Sequence, residues 1–298
     1  MVADNSQLKY VLLTFASFVI WGLFPIYFKW IEAVDAYEIM AHRIVWSLVL
    51  LLLFMLVFRK RILIGKIFRT PKLLLGLTAS SLMIAVNWGL YVWAVMTEQV
   101  LSTSLGYFIN PLVSVILAVI FLSERLNNKQ IFALLLVVIA IANMIVTVGE
   151  LPWLSLSLAF SFGLYGLIRK QLDIDSFNGL LFEVLLIFPF ALGYLVYLAN
   201  TGTVAFTTLG LQIDLLLILS GVLTLLPLIL FAAGVKGINL STVGFIQYVA
   251  PSLSFILAVF FFNEPFSVEK LISFALIWTA LILISIDAWR RMRTSAAR

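Results

Sequence analysis

Apolar residues occur in long runs along the chain, separated by short polar stretches, and this pattern predicts ten hydrophobic helices. A bilayer core about 30 Å thick requires roughly 20 apolar helical residues for each crossing. Runs of that length lie near 8–28, 38–58, 73–95, 101–122, 130–148, 152–168, 178–199, 213–234, 241–262 and 269–288. The fifth and sixth runs are separated by a short segment with a glycine and Pro152, which is typical of a tight turn.

The composition predicts an all-α integral membrane protein. Of the 298 residues, 63% are hydrophobic and 11% are charged, and the mean hydropathy is +1.15. A soluble domain has about 45–50% apolar and about 25% charged residues. A single hydrophobic core in a chain of this length could not bury so much apolar surface. Disordered, collagen-like and disulfide-rich classes are excluded too, because the chain is apolar, has 16 glycines and has no cysteine.

The basic residues predict the orientation in the membrane. Of the 19 Lys and Arg residues, 16 fall on the side that holds both chain termini, whereas only Lys29 and Lys270 fall on the other side and Arg43 lies within a run. The positive-inside rule therefore predicts a multi-pass protein of the plasma (inner) membrane with both termini in the cytoplasm. This distribution also explains the pI of about 9.5 without a nucleic-acid partner.

The two halves of the chain repeat each other. Residues 111–124 and 251–264 are identical at eight of fourteen positions at an offset of 140, and Leu-Ser-Thr at 101–103 recurs at 240–242. The repeat predicts two units, 1–148 and 149–298, the second ending in a short basic cytoplasmic tail. Since each unit holds five runs, the second must enter the membrane from the opposite side. Such inverted repeats are typical of secondary transporters with a site near the midplane, at the repeat interface.

Several motifs then carry a family resemblance. They are Trp21-Gly-Leu-Phe-Pro25-Ile-Tyr-Phe-Lys29, His42-Arg43-Ile-Val-Trp46-Ser47, Asn87-Trp-Gly89-Leu-Tyr-Val-Trp93-Ala94, Leu105-Gly-Tyr-Phe-Ile-Asn110-Pro111-Leu, Ser123-Glu124-Arg125-Leu and Gln247-Tyr-Val-Ala-Pro251. Over essentially its whole length the chain resembles the drug/metabolite transporter superfamily, within it the EamA family, and most of all the RarD-type permeases named for chloramphenicol sensitivity. The resemblance implies a ten-helix, two-repeat fold and a membrane transporter that exports or exchanges small metabolites or drug-like compounds. It implies no particular substrate.

Three ionisable residues within the runs are candidates for coupling or charge recognition: His42, Arg43 and Glu183. A charge at the bilayer centre costs about 2.5–3.5 kcal/mol even on insertion scales, so those that remain usually face a cavity or a partner. Glu183 is the repeat equivalent of Arg43, at an offset of 140. The alternative is that Arg43 and Glu183 snorkel to the two interfaces. His42 is the only histidine, so any histidine-based proton step must use it.

Uncharged polar residues of the fourth and ninth runs predict a substrate pathway. Tyr107 and Asn110 recur at helical spacing with Thr103 and Ser114, and Gln247 recurs with Gly244 and Ser254; Tyr248 follows directly. Prolines, which remove a backbone hydrogen bond and leave carbonyls free, predict helix kinks at Pro25, Pro111, Pro227 and Pro251. The alternative is that these positions only shape the bundle and permit close packing.

Two further groups are pathway candidates. Asn87 and Tyr91 share a face of the third run with Ser80, and Asn87 needs a hydrogen-bond partner that is either a neighbouring helix or a substrate. Trp21 and Tyr165, with Trp88 and Trp93, are candidates for an aromatic cage, although most tryptophans in membrane proteins belong to interfacial belts.

Known catalytic patterns are missing from the sequence. One histidine and no cysteine leave no usual metal-ligand set, and there is neither a Gly-x-Ser-x-Gly elbow nor a Walker-type loop. We therefore predict a carrier, not an enzyme, without metal or cofactor, that binds a small molecule and works by alternating access within a lipid bilayer. Predicted helices 1, 3, 4, 6, 8 and 9 form its walls. Coupling to protons and the oligomeric state stay open, and the alternatives are a channel or a membrane enzyme acting on a lipid-like substrate.

Overall fold

A computed structural model describes residues 5–122, 126, 128–148, 151–234 and 246–296, and within these ranges the chain forms helices and no strand. The helices are α1 (Asn5–Gly22), α2 (Phe24–Trp30), α3 (Ala36–Val57), α4 (Ile64–Arg69), α5 (Pro71–Met96), α6 (Val100–Leu122), α7 (Asn128–Val148), α8 (Trp153–Lys170), α9 (Ser176–Thr201), α10 (Leu211–Gly234), α11 (Val249–Ile256), which continues as a π-helical turn (Leu257–Phe261), and α12 (Val268–Ala296).

Seven helical stretches of the described chain are long and apolar enough to cross a membrane. They are Leu8–Trp30, Ala36–Val57, Pro71–Met96, Val100–Phe121, Asn128–Thr147, Ser176–Thr201 and Leu211–Phe231. They coincide with the first five, the seventh and the eighth predicted runs, whereas the other three runs contain α8, α11 and α12. Large apolar side chains such as Val146 and Phe190 are exposed on the outside of the bundle. The prediction of an all-helical, multi-pass membrane protein is therefore confirmed.

Helices α3 and α9 begin in the same way. Asp35 accepts hydrogen bonds from the backbone N–H groups of Tyr37 and Glu38, and Asp175, 140 residues later, accepts one from Asn178. These carboxylates satisfy N–H groups that have no partner within the helix. The two helices therefore start at equivalent positions of the two halves.

Several helices of the first half pack against helices of the second half. α8 packs against α5 and α6, α1 packs against α10 and α11, and α7 packs against α12. Glycines permit the close approach in both halves: a Cβ at Gly22 would lie 2.8 Å from the Cβ of Leu253, and a Cβ at Gly163 would lie 3.1 Å from a methyl carbon of Val113. Leu253 and Val113 are themselves 140 residues apart, so equivalent surfaces meet in both places.

The prolines divide into two groups by their place in the helices, and the four kinks stay a prediction. Pro111 and Pro227 lie inside α6 and α10, as does Pro189 inside α9, which the sequence analysis did not single out. Pro25 lies in the first turn of α2 and Pro251 in that of α11, where the missing N–H would have had no helical partner. Both therefore begin a new helix. The repeat positions Glu124, 240–242 and Gly244 lie outside the described residues.

Candidate functional site

Arg43 is the eighth residue of α3, and its side chain turns into the bundle instead of reaching the surface. Only 5% of the residue is exposed. Its Nε donates a hydrogen bond of 2.7 Å to the hydroxyl of Thr224 on α10, while its Nη1 is buried without a hydrogen-bond partner. Snorkelling to the interface therefore does not describe this side chain.

Aromatic rings surround the guanidinium group. Its carbon lies 4.6 Å from the ring centre of Trp88 and 5.7 Å from that of Phe24, distances typical of cation–π contacts. The rings of Tyr91 and Tyr107 lie 5.9 Å apart, and both tyrosines are close enough to Arg43 for an electrostatic interaction. The structure thus brings together four of the residues that the sequence analysis names: Arg43, Trp88, Tyr91 and Tyr107.

Glu183 is the eighth residue of α9, near the opposite end of the bundle, and it has several partners. It is 1% exposed, it accepts hydrogen bonds from Ser80 at 2.6 Å and Tyr165 at 3.4 Å, and it pairs with Nε of Arg169 at 3.6 Å. The absence of a side chain at Gly179 leaves space for the guanidinium group of Arg169, which a Cβ at that position would overlap. Although Nη1 of Arg169 has no hydrogen-bond partner, the charge of Glu183 is compensated within the protein.

His42 belongs to a different group on the neighbouring face of α3. Its Nε2 lies 3.7 Å from Glu38, and its Nδ1 accepts a hydrogen bond from the Trp46 indole. Glu38 accepts hydrogen bonds from the backbone N–H groups of Ala205 and Phe206, in the loop between α9 and α10. His42 therefore contacts a carboxylate that anchors a loop.

Asn178 plays the corresponding anchoring part in the other half. It lies 140 residues after Glu38, accepts a hydrogen bond of 2.7 Å from the backbone N–H of Leu63, and donates one of 2.9 Å to the carbonyl of Arg61. Asn178 thus holds the loop that precedes α4 as Glu38 holds the loop that precedes α10. Sequence analysis missed both anchors, although the four-residue spacing of Glu38 and His42 placed them on one helix face.

Asn87 has its partner in a neighbouring helix. Its amide nitrogen donates to the carbonyl of Leu158 and the hydroxyl of Ser161 on α8, and its oxygen accepts from the hydroxyl of Tyr107. The sequence allows either a neighbouring helix or a substrate as the partner of Asn87. In the described structure its partners are protein groups on neighbouring helices. Through Tyr107, Asn87 is linked to the surroundings of Arg43.

The remaining predicted residues are dispersed. Asn110 leaves a buried side-chain oxygen without a partner at the contact of α6 with α8, and Gln247 and Tyr248 form the turn before α11. Trp21 packs on Phe18 and Phe231. The structure does not assemble the predicted cage, because Trp93 packs on Trp153, Trp88 on Arg43, and Tyr165 on Phe162.

A cleft of about 210 Å³ opens at the end of the bundle where α2 and α5 finish and α6 begins, and Phe28 lies at its inner wall. The ring of Phe28 also packs on that of Tyr91, at 6.0 Å, so this side chain contacts both the cleft and a neighbour of Arg43. Glu264 borders the cleft and accepts hydrogen bonds from the N–H groups of Val100 and Leu101 at the start of α6. Burial raises the pKa of the Glu264 carboxyl, and those two hydrogen bonds oppose the rise.

Among the described residues, no three side chains of the metal-ligating types His, Asp and Glu come together. The residues that sequence analysis missed are hydrogen-bond or ion-pair partners of those that it found: Thr224 for Arg43 and Arg169 for Glu183. Ser80, which the sequence places on the face of Asn87, is a partner of Glu183 as well. A helical wheel shows the residues of one helix face, and these partners lie on other helices.

Comparisons with a family profile and with individual proteins agree with each other. The profile of the EamA-like transporter family matches residues 8–146 and again residues 152–286. Protein RarD of Escherichia coli (strain K12) is 40% identical over 286 residues, which cover 96% of this chain and 97% of RarD. The uncharacterized transporter YojE of Bacillus subtilis (strain 168) is 42% identical over 295 residues, covering 96% and 97% of the two chains.

One solved crystal structure of a protein superposes on this chain with a TM-score of 0.61 at 16% sequence identity. The superposition covers 94% of this chain and 98% of the other. At that identity the likeness concerns the fold alone, and it includes both halves of the chain.

Proposed function

The chain belongs to the EamA-like transporter family, and from that premise we propose that it is a RarD-like secondary transporter of small metabolites or drug-like compounds. It works by alternating access and exports or exchanges its substrate. It resides in the plasma (inner) membrane with both termini in the cytoplasm, as the distribution of basic residues indicates. Catalysis has no part in this proposal.

The proposed architecture is ten transmembrane helices in two inverted five-helix repeats, 1–148 and 149–298. The double match of the family profile supports this division, as do the equivalent caps Asp35 and Asp175 and the packing of helices between the halves. In this arrangement α1 with α2, α3, α5, α6 and α7 correspond to α8, α9, α10, α11 and α12. Inverted repeats can exchange conformations, which is the usual basis of alternating access.

The observation that carries the function is the pair of buried charges at equivalent depths. Arg43 and Glu183 are each the eighth residue of their helix, lie in opposite halves, and are buried inside the bundle rather than facing lipid. Ionisable residues inside a membrane protein mark substrate or ion pathways unless they serve only its assembly. Glu183 is the proposed candidate for proton coupling and Arg43 for substrate recognition.

Counterflow in proteoliposomes tests this function, because it needs neither an ion gradient nor knowledge of the transport direction. Vesicles holding purified protein are loaded with one unlabelled solute and diluted into a trace of the labelled form. The panel comprises amino acids, organic acids, nucleosides, sugars, polyamines and aromatic drugs. We expect transient, saturable accumulation of at least one solute class, unaffected by Val146→Ala on the exposed surface.

Two results would contradict the proposal. Rapid equilibration of many solutes without saturation or counterflow would indicate a channel. If a folded, correctly inserted protein moved no member of the panel, or converted a solute chemically, the carrier function would be wrong.

A further inference from the structure

The uncompensated charge of Arg43 is the feature from which the substrate class can be inferred. A guanidinium group has five N–H donors and carries its charge at every accessible pH. Thr224 provides a neutral oxygen for Nε, and Nη1 is buried without any acceptor. Burying an unpaired charge is costly, so buried cations are normally paired with an anion.

The described part of the protein contains no carboxylate that pairs with Arg43. The ion pairs of the described residues involve other basic groups, and the nearest Glu on the same helix, Glu38, is engaged with His42 and the backbone of Ala205. The segment 235–245 contains no Asp or Glu in its sequence. The other neighbours of the guanidinium are rings and hydroxyl groups, which are uncharged.

We propose that Arg43 is the anion-recognition residue of the transport site and that the substrate is a small organic acid bound through one carboxylate. This inference rests on the proposed function, since it names the substrate class of the same site. The carboxylate pairs with Nη1 of Arg43, and the organic part of the substrate packs among the rings of Tyr91, Tyr107 and Trp88.

A single guanidinium group suits a carboxylate better than a phosphate. A carboxylate carries one negative charge and matches the planar donor edge of arginine. A phosphate ester carries nearly two charges and three acceptor oxygens, and is normally held by several cations or backbone N–H groups. The described surroundings of Arg43 offer one cation and aromatic rings, so charge balance favours the monoanion.

The contacts of Arg43 also fix its orientation. Nε is bound to Thr224 at 2.7 Å, and the flat guanidinium lies over Trp88 at 4.6 Å. These two contacts hold the group in place and leave Nη1 as the free donor. Phe28 contacts both the end cleft and Tyr91.

Acid and amide pairs test the inference, because each pair differs in charge and hardly in shape. Purified full-length protein is titrated with benzoate and benzamide and with indole-3-acetate and indole-3-acetamide, with inorganic phosphate as a further arm. The readouts are the shift in thermal unfolding and the change in tryptophan fluorescence, to which Trp88 contributes. We expect at least one acid to bind about 10- to 100-fold more tightly than its amide, and phosphate to bind no better than that amide.

Arg43 variants assign the charge preference to the site. In Arg43→Gln we expect the acid to lose its advantage over the amide, and in Arg43→Lys we expect partial retention, because lysine keeps the charge and lacks the planar donor edge. Lys66→Gln is the matched control, since it removes an exposed basic residue paired with Asp173 near the other end of the bundle. It should leave the acid preference unchanged.

Several results would overturn the inference. They are equal binding of acid and amide in every pair, an acid preference that survives in folded Arg43→Gln, or a preference for phosphate over all the carboxylates. Counterflow separates this failure from that of the function. A protein that transports a neutral solute without acid preference keeps the proposed function and loses this inference. A protein that binds the acid through Arg43 and transports nothing keeps the anion site and loses the transport function.

Discussion

Arg43 and Glu183 occupy equivalent positions of the two halves and have opposite surroundings. Glu183 is compensated by Arg169 and by the hydroxyl groups of Ser80 and Tyr165. Among the described residues, Arg43 has one neutral acceptor, Thr224, and its Nη1 is buried without a partner. The repeat therefore preserves the position of a buried charge without preserving its compensation. The compensated charge of Glu183 contributes to stability as well as being the candidate for proton coupling, and Arg43 is the candidate for binding.

The sequence offset explains why the two surroundings differ. The offset of 141 that relates Lys29 to Lys170 also relates Phe28 to Arg169. Where the second half supplies a basic partner to its buried charge, the first half has an apolar ring that contacts Tyr91. Position 28 therefore provides no charged partner for Arg43, and an arginine there would repel Arg43 instead of pairing with it.

The largest expected effect is that of removing the compensated charge. Glu183→Ala leaves Arg169 without its partner and Tyr165 without its acceptor, whereas Ser80 keeps the carbonyl of Leu77. We therefore expect a loss of about 3 kcal/mol in unfolding free energy. The estimate is at the low end for buried pairs because the Arg169 side chain is 15% exposed. Denaturant titration in mixed micelles measures it. Adding Arg169→Ala should recover part of the loss, and a fully additive double variant would show that the two side chains do not interact.

The next effect in size tests the single acceptor of Arg43. Thr224→Val keeps the side-chain shape and removes the oxygen bound to Nε, so a buried charge loses its only hydrogen bond between described side chains. We expect a cost of about 2 kcal/mol in unfolding free energy. The cost should disappear when Arg43 is replaced by Met in the same chain. An equal cost in both backgrounds would mean that Thr224 acts through its bond to the carbonyl of Ser220 instead.

A smaller effect is expected at the matching hydroxyl in the other half. Ser80→Ala removes one hydrogen bond to Glu183, which keeps Tyr165 and Arg169 as partners. We expect a loss of about 1 kcal/mol, measured by the same titration. A cost above that of Thr224→Val would contradict the idea that Glu183 is the better compensated charge.

What the sequence could predict follows from the range of each interaction. Hydropathy and charge are local properties, so the apolar runs and the depth of Arg43 and Glu183 within their helices could be read directly. Thr224 lies 181 residues from Arg43, and Leu158, the partner of Asn87, lies 71 residues away. Such partners depend on which helix faces meet, and a single sequence does not contain that information. A proline opens a helix as readily as it bends one, so the sequence alone does not distinguish a kink at Pro25 or Pro251 from the start of a new helix.

The smallest expected effect on stability belongs to Arg43 itself, and it separates a binding residue from a structural one. Arg43→Met keeps the length of the side chain and removes a buried charge that has no ion pair among the described residues. Replacing buried charges by apolar groups is often neutral or stabilising. We therefore expect the unfolding free energy to stay within about 0.5 kcal/mol of that of the parent protein or to rise. Because the variant lacks the Nη1 donor, we expect it to lose the binding of the acid. A loss as large as that of Glu183→Ala would show that Arg43 holds the fold together, and the two halves would then be compensated alike.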